Sequence, residues 1–392
     1  MTARFDADVA IVGGGPAGTS LALHMVRKEG IRADRIAVFE KAAHPREKPC
    51  AGAVSACGIE ALEALGAPLD VPHVAMRGLR ILAEGRVGSH VGHLGVVVRR
   101  CDFDASLWRL ASADGVVARD AEGLVGLDRL AGGWRVTTSA RTITARLIAA
   151  CDGAGSTVRK LLGMREAARK GHLYVLETDP HACDVGPRDG LCDFDLAPSE
   201  RGLEGYYWDF PTVMAGARAV SRGIYHANLT PRRDVKAQLA RALGERGLDV
   251  AKLKLKPFST RPFVRGAQLA FDGGVLVGEA AGIDATTGEG IAQAILLGAI
   301  AARHVARALR LGAQRVDGYE SDVLRSRVGR HMLQSAWLAR HVYGKRGAGW
   351  RRFLVDSSLA RAAGALWYDG RALTWGTKMR LAAGLLSATR AL

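Results

Sequence analysis

The start of the chain constrains its fold most. An apolar run, Ala7–Val12, leads into Gly13-Gly14-Gly15-Pro16-Ala17-Gly18. A helical pattern follows over Thr19–Glu29, with Leu21, Met25 and Val26 as neighbours on one face. A second apolar run, Arg35–Glu40, ends in an acid. This strand–turn–helix–strand opening predicts an α/β fold built on a parallel sheet. Glycines at 13, 15 and 18 allow a tight turn and let backbone N–H groups approach a pyrophosphate, and the helix N-terminus adds partial positive charge. An acid about 20 residues further on accepts hydrogen bonds from ribose hydroxyls. Gly13, Gly15, Ala17, Gly18, Glu40 and Lys41 are therefore candidate dinucleotide-binding residues. The motif alone does not separate a nicotinamide from a flavin dinucleotide.

A second glycine-rich turn lies far along the chain. The apolar strand Gly274–Gly278 runs into Glu279-Ala280-Ala281-Gly282, and Gly288-Glu289-Gly290 opens a helix over Ile291–Leu311. An acid at the carboxyl end of a strand points into the ligand crevice of an open α/β sheet. Glycines let backbone reach a flat ring. The helix N-terminus carries roughly half a unit charge, worth about 0.3–1 kcal/mol when exposed and up to about 2 when partly buried. A reduced flavin is anionic in its pyrimidine ring, which suits that position, whereas a nicotinamide needs no second cradle. The two turns together imply FAD, held at both ends. Between them, Asp152-Gly153-Ala154-Gly155-Ser156-Thr157-Val158-Arg159 follows the apolar strand Arg146–Ala150. Locally it reads as an Asp-Gly turn with Ser156 capping a short helix.

Strand-rich segments interrupt the nucleotide-binding frame twice. The expected organisation is a discontinuous FAD-binding domain (1–65, 101–164 and 271–311), an inserted, mainly antiparallel β-sheet substrate domain (66–100 and 165–270) and a basic helical C-terminal region (312–392). Helices are expected near 55–65, 102–113 and 232–246. Mean hydropathy is +0.04, and the longest apolar helix pattern, Ile291–Ala302, is shorter than the roughly 20 residues that cross a bilayer. No signal peptide is expected, because Asp6 and Asp8 stand where a basic segment would be. The six cysteines form no C-x-x-C pair and no cluster with His, so reduced thiols, a cytoplasmic location and no metal are expected.

Net charge is +16, and from Arg303 onward there are 17 Lys/Arg against 5 Asp/Glu. Four of the seven tryptophans, Trp337, Trp350, Trp367 and Trp375, lie there too. Such a segment suits a solvated helical tail, an anionic membrane surface or an acidic carrier protein. No nucleic-acid motif accompanies it, and no nucleic-acid partner is expected.

The order of these motifs resembles the p-hydroxybenzoate hydroxylase fold of FAD-dependent oxidoreductases over roughly residues 5–310, with the Arg100-x-x-Phe103-Asp104 segment in its expected place. Two stretches resemble the geranylgeranyl reductase branch. Lys48-Pro49-Cys50-Ala51-Gly52 is similar to its Cys-Gly-Gly loop beside the flavin, with Ala51 in place of the first glycine. Tyr206-Tyr207-Trp208-Asp209-Phe210-Pro211 matches its Tyr-x-Trp-x-Phe-Pro signature lining a lipid-substrate cavity. The resemblance implies that Gly13, Gly15, Gly18 and Glu40 bind the adenosine diphosphate part and that Arg100 contacts FAD. It implies that Asp152 holds FAD or an incoming nicotinamide, and that Glu279, where the family usually has Asp, bonds the ribityl chain or pyrophosphate. Gly288, Gly290 and Ile291 would face the isoalloxazine.

Tyr206, Trp208 and Phe210 alternate, so a strand puts all three on one face. That face is either aromatic core or, as the resemblance implies, a cavity lining for an apolar small-molecule substrate. Cys50 is a candidate catalytic residue, with His44 and Lys48 nearby to make its setting electropositive. The expected reaction passes a hydride from the flavin to a carbon–carbon double bond of a prenyl-type substrate, with NADPH or NADH as transient donor. Water or a loop residue would supply the proton. A monooxygenase acting on an aromatic or carrier-bound substrate is the alternative within the fold, and a non-enzymatic flavin-bound docking factor the alternative outside enzymes.

Overall fold

The structure, a computed structural model, describes residues 5–164, 170–230, 234–344, 347–371 and 373–390. Strand β1 (Ala7–Val12) is apolar throughout and nearly all buried, as a central parallel strand covered on both faces must be. Helix α1 (Pro16–Arg27) starts on Pro16, whose missing N–H costs nothing in a first turn. Strand β2 (Ile36–Phe39) pairs parallel with β1, Val9 opposite Ile36 through Val12 opposite Phe39.

The chain then leaves this sheet. Strand β3 (Ala53–Ser55), helix α2 (Ala56–Ala64) and the long hairpin β4 (His73–Ala83)–β5 (Arg86–Val98) follow, and β3 pairs with β5. The second sheet therefore begins at Ala53, ahead of residue 66 where the sequence suggests the change, because β3 is too short to announce itself. Helix α3 (Arg100–Ala113) returns the chain to the first sheet. There β6 (Val117–Arg119) pairs beside β2. Strands β7 (Leu124–Leu130), β8 (Gly133–Thr138) and β9 (Thr142–Ala150) form a meander that sets β9 parallel to β1.

Helix α4 (Thr157–Leu161) leads back to the second sheet. The segments there are β10 (Gly171–Thr178), the single-turn helices α5 (Val185–Arg188) and α6 (Ala197–Glu200) around β11 (Leu191–Asp195), then β12 (Gly205–Met214), β13 (Ala217–His226), α7 (Val235–Gly244) and β14 (Lys256–Thr260). The expected start of α7 at 232 lies outside the described residues. Finally β15 (Ala270–Phe271) and β16 (Gly274–Leu276) rejoin the first sheet. The orders are β15-β16-β9-β1-β2-β6, with β7 and β8 beside β9, and β14-β10-β13-β12-β11-β4-β5-β3.

Helix α8 (Ile291–Arg310) packs along α1, where Ser20 Oγ donates to Ile295 O at 2.9 Å. Its 20 residues exceed the apolar stretch expected from sequence, and by length and composition it could cross a bilayer. Yet 78% of its apolar window is buried inside the protein, so it is a core helix. Helices α9 (Tyr319–Arg325), α10 (Arg327–Val342), α11 (Ala348–Asp356), α12 (Ser358–Tyr368) and α13 (Trp375–Arg390) complete the chain. Ser326 and Ser357 cap α10 and α12 by accepting from Gly329 N and Ala360 N.

Candidate flavin site

The first glycine turn sits at the carboxyl end of β1. Gly13 has φ +110°, and a Cβ there would lie 2.4 Å from Cys151 O; one on Gly18 would lie 2.0 Å from Gly13 O. Both positions demand glycine for the turn itself. Gly15 differs. A Cβ there would meet only Arg46 Nη2 at 3.1 Å and Asp104 Oδ2 at 4.0 Å, both ends of side chains. The space over Gly15 is thus free of backbone, and α1 begins there with no side-chain cap. Open backbone and uncapped N–H groups at a helix start fit a pyrophosphate.

Glu40 is buried and accepts from Gly14 N at 3.0 Å and Ala42 N at 3.2 Å, while Arg46 Nε stands 3.3 Å from its Oε2. Lys41 is exposed and packs its side chain beside Gly123, on the outer side of the turn.

The second cradle meets the first. Gly278 has φ +62°, and a Cβ on it would come 2.7 Å from the Cβ of Ala17. Only glycine lets the turn after β16 touch the start of α1. Glu279 follows, its Oε2 3.2 Å from Lys48 Nζ. Asp152 Oδ2 accepts from Thr157 N at 2.6 Å and Val158 N at 3.1 Å, while its Oδ1 is buried without a hydrogen-bond partner among the described residues. Burial raises the Asp152 pKa above the ordinary carboxylate value. Ser156 caps α4 as its spacing suggests, accepting from Arg159 N. A Cβ on Gly153 would lie 3.7 Å from Glu279 Oε2, so the Glu279 carboxylate reaches the turn that follows Asp152. An orphaned buried carboxylate oxygen beside an open cradle suits the hydroxyls of a ribityl chain or ribose.

The loop 284–290 is tied down from both sides. Tyr225 OH donates to Ala285 O at 3.2 Å, Tyr206 OH to Thr287 O at 2.5 Å, and Tyr343 OH to Thr286 O. Ser335 Oγ on α10 donates to Asp284 Oδ1, and His331 Nε2 lies 3.6 Å from Asp284 Oδ2. Gly288 has φ +69°, and a Cβ there would press on the Tyr225 ring at 3.0 Å. Gly290 and Ile291 start α8, but its N-terminus is not wholly free as the sequence suggests. Glu289 Oε1 accepts from Ala292 N at 2.9 Å. Burial first, then Asp284, pushes the Glu289 carboxyl from 4.5 up to about 7, against the lowering effect of Ala292 N–H and His331.

Cys50 lies between the cradles and the second sheet. The positive charge at its side is Arg100, whose buried guanidinium lies against the Cys50 sulfur. Arg100 also donates to Asp104 at 2.8 and 2.7 Å. Asp104 is fully buried; against that burial, Arg100 and Arg46 keep its pKa below the ordinary range. Of the two cations expected near Cys50, Lys48 pairs with Glu279 and sits 4.8 Å over the Phe258 ring. His44 stacks on Trp108 at 4.6 Å, and burial together with Arg46 holds its imidazole below its usual pKa. A crevice of about 20 Å³ separates Cys50 from Val175, Thr212 and Ser221.

Tyr206, Trp208 and Phe210 share one face of β12, with ring centroids 6.2 and 6.3 Å apart. Phe194 of β11 packs on Tyr206 at 5.2 Å and on Phe210 at 5.0 Å. Through the Tyr206 hydroxyl this face rests on the loop 284–290. Sequence reasoning missed Arg46, Ser335 and Tyr343, which reach the site only through tertiary packing. A larger cleft of about 650 Å³, lined by Arg129, Trp134, Arg159, Arg261 and Phe271 among others, opens elsewhere and touches none of the expected site residues.

Comparison with known proteins supports an FAD-binding fold. A family model described as FAD binding domain matches residues 6–336. The chain is 28% identical over 328 residues to a digeranylgeranylglycerophospholipid reductase of Methanothrix thermoacetophila, covering 79% of this chain and 80% of that one. Among solved structures, a geranylgeranyl bacteriochlorophyll reductase-like protein from Thermoplasma acidophilum superposes with TM-score 0.75 at 22% identity, over 96% of this chain and 98% of that one. A flavin-dependent brominase superposes with TM-score 0.73 at 15% identity, over 98% and 100%. At these identities the two structures speak for the fold.

Proposed function

This chain belongs to the FAD-binding-domain family of flavin-dependent oxidoreductases, and from that premise we propose that it reduces carbon–carbon double bonds of an apolar, prenyl-type substrate. The observation that carries this reading is the aromatic face of Tyr206, Trp208 and Phe210, resting on the loop at the start of α8 with Cys50 beside it. An apolar chain lying on that face would meet the flavin at the Gly288–Gly290 loop. FAD, when bound, supplies a hydride donor at its ring N5.

The chain's own residues do the rest. Gly13, Gly15 and the start of α1 would hold the pyrophosphate, and Glu40 the adenosine ribose. Asp152 and Glu279 would hold the middle of the cofactor. Tyr206, Tyr225 and Tyr343 hold the ring-side loop in place through its carbonyls. The aromatic face excludes water from the reacting carbon, and the Arg100 guanidinium stands beside Cys50. NADPH or NADH serves as transient donor.

A membrane-peripheral site of action fits helix α13. Trp375, Met379 and Leu386 are 79%, 64% and 60% exposed, with Lys378 and Arg380 among them. Apolar side chains flanked by cations suit an anionic lipid surface, from which a prenyl substrate would be drawn.

Turnover in the absence of oxygen tests the reading. A strict oxygen requirement would make the protein a monooxygenase, whose basic C-terminal region could dock an acidic carrier. No turnover under either condition would leave a docking factor.

A further inference from the structure

Four tyrosines are buried around the loop 284–290. Three have their hydroxyls committed: Tyr206 donates to Thr287 O, Tyr225 to Ala285 O and Tyr343 to Thr286 O. The fourth, Tyr368, is 8% exposed, and its hydroxyl has no hydrogen-bond partner among the described residues. It closes α12, beyond residues 6–336 that the family model matches.

Its place is well defined. Trp367, one residue before, stacks on His331 at 4.4 Å. Asp369, one residue after, accepts from Cys57 N at 2.8 Å through Oδ1, and its carbonyl accepts from Arg327 Nη2 at 2.7 Å. The Tyr368 ring packs edge-on to Phe194 at 6.5 Å. Burial, then the Glu289 carboxyl nearby, holds the phenol far above its ordinary pKa. The hydroxyl is therefore a permanent donor, set between the flavin-side loop and the aromatic face. A buried donor without an acceptor is unfavourable, and such groups in native proteins usually have a use.

We propose that the Tyr368 hydroxyl is a substrate-binding group, donating a hydrogen bond to an uncharged oxygen of an otherwise apolar ligand lying on the Tyr206–Trp208–Phe210 face. The acceptor is a hydroxyl, ether or carbonyl oxygen. An anionic head would be poorly served, because Arg100 is committed to Asp104. An ammonium has no lone pair to accept with. The substrate is then an oxygen-bearing prenyl compound rather than a bare hydrocarbon. This rests on the proposed function only in taking the aromatic face as the substrate site.

The test is a binding experiment on the FAD-loaded protein and its Tyr368→Phe variant, by thermal shift, with farnesol and the hydrocarbon farnesene as probes. We expect farnesol to bind about tenfold more weakly to Tyr368→Phe, with farnesene affinity unchanged and the ligand-free melting temperature not lowered. Equal effects on both probes, unchanged farnesol binding, or no binding of either probe to the unsubstituted protein would overturn the proposal. A lowered ligand-free melting temperature would assign the hydroxyl a structural role and overturn it too. No turnover is measured, so failure of the reductase reading alone leaves this result intact.

Discussion

Lys48 Nζ lies 3.2 Å from Glu279 Oε2, a contact across 231 residues of sequence. It joins the loop after β2 to the turn after β16. The same loop carries Arg46, which pairs with Glu40 and Asp104. One segment thus runs past both cradles. Lys48→Met leaves Glu279 without its cation. Hydrogen bonds to charged groups contribute about 1.5–3 kcal/mol, so FAD affinity should fall roughly tenfold or more. Flavin fluorescence titration of the apoprotein measures this, and unchanged affinity would show that the pair does not position Glu279.

The glycines of the first turn separate by role. Gly15→Val meets only the ends of Arg46 and Asp104, so the variant should fold with a melting temperature close to the unsubstituted protein yet purify colourless. Gly18→Val places a methyl against Gly13 O and should fail to fold. Visible absorbance and circular dichroism decide both. A folded, fully yellow Gly15→Val protein would contradict the placement of the pyrophosphate.

Much of this was legible in local sequence. Gly13, Gly15, Gly18 and Glu40 sit within one strand–turn–helix–strand unit, and the alternation of Tyr206, Trp208 and Phe210 puts their shared face in plain view. What could not be read are partners brought together by packing. Arg46 carries no motif of its own, and the pairing of Asp104 with it appears only in the fold. Tyr368 stands at the end of an ordinary amphipathic helix, and its missing partner exists only once α12 is laid across β5. Arg100 beside Cys50 is hidden from local sequence for a related reason. His44 and Lys48 are near in sequence, but the loop turns them toward Trp108 and Glu279, and Arg100 arrives from the next helix.

Glu289 gives a pH signature. Its folded pKa, about 7, lies above the 4.5 of an ordinary glutamate, so the folded protein keeps a proton that the unfolded chain has already lost. The stability it contributes is complete below about pH 4.5 and disappears as pH rises through about 7. Glu289→Gln keeps the neutral form. Its stability relative to the unsubstituted protein should therefore rise between these values, by on the order of 3 kcal/mol at most. Denaturant melts across pH measure the difference, and a flat difference would place a charged Glu289 in the folded state.

Helix α13 predicts lipid dependence. The protein should sediment with vesicles of phosphatidylglycerol and phosphatidylcholine but not with phosphatidylcholine alone. Trp375→Ser with Lys378→Glu should abolish sedimentation without changing the flavin spectrum. Sedimentation that survives the double substitution would move the lipid contact elsewhere.

The most direct measurement is a single turnover without oxygen. Enzyme reduced by dithionite is mixed anaerobically with farnesol, the return of oxidised-flavin absorbance is followed, and the product is analysed by mass spectrometry. The account predicts that the flavin reoxidises and that the product has gained two hydrogens. A flavin that stays reduced until oxygen is admitted, with a product that has gained one oxygen atom, would contradict it.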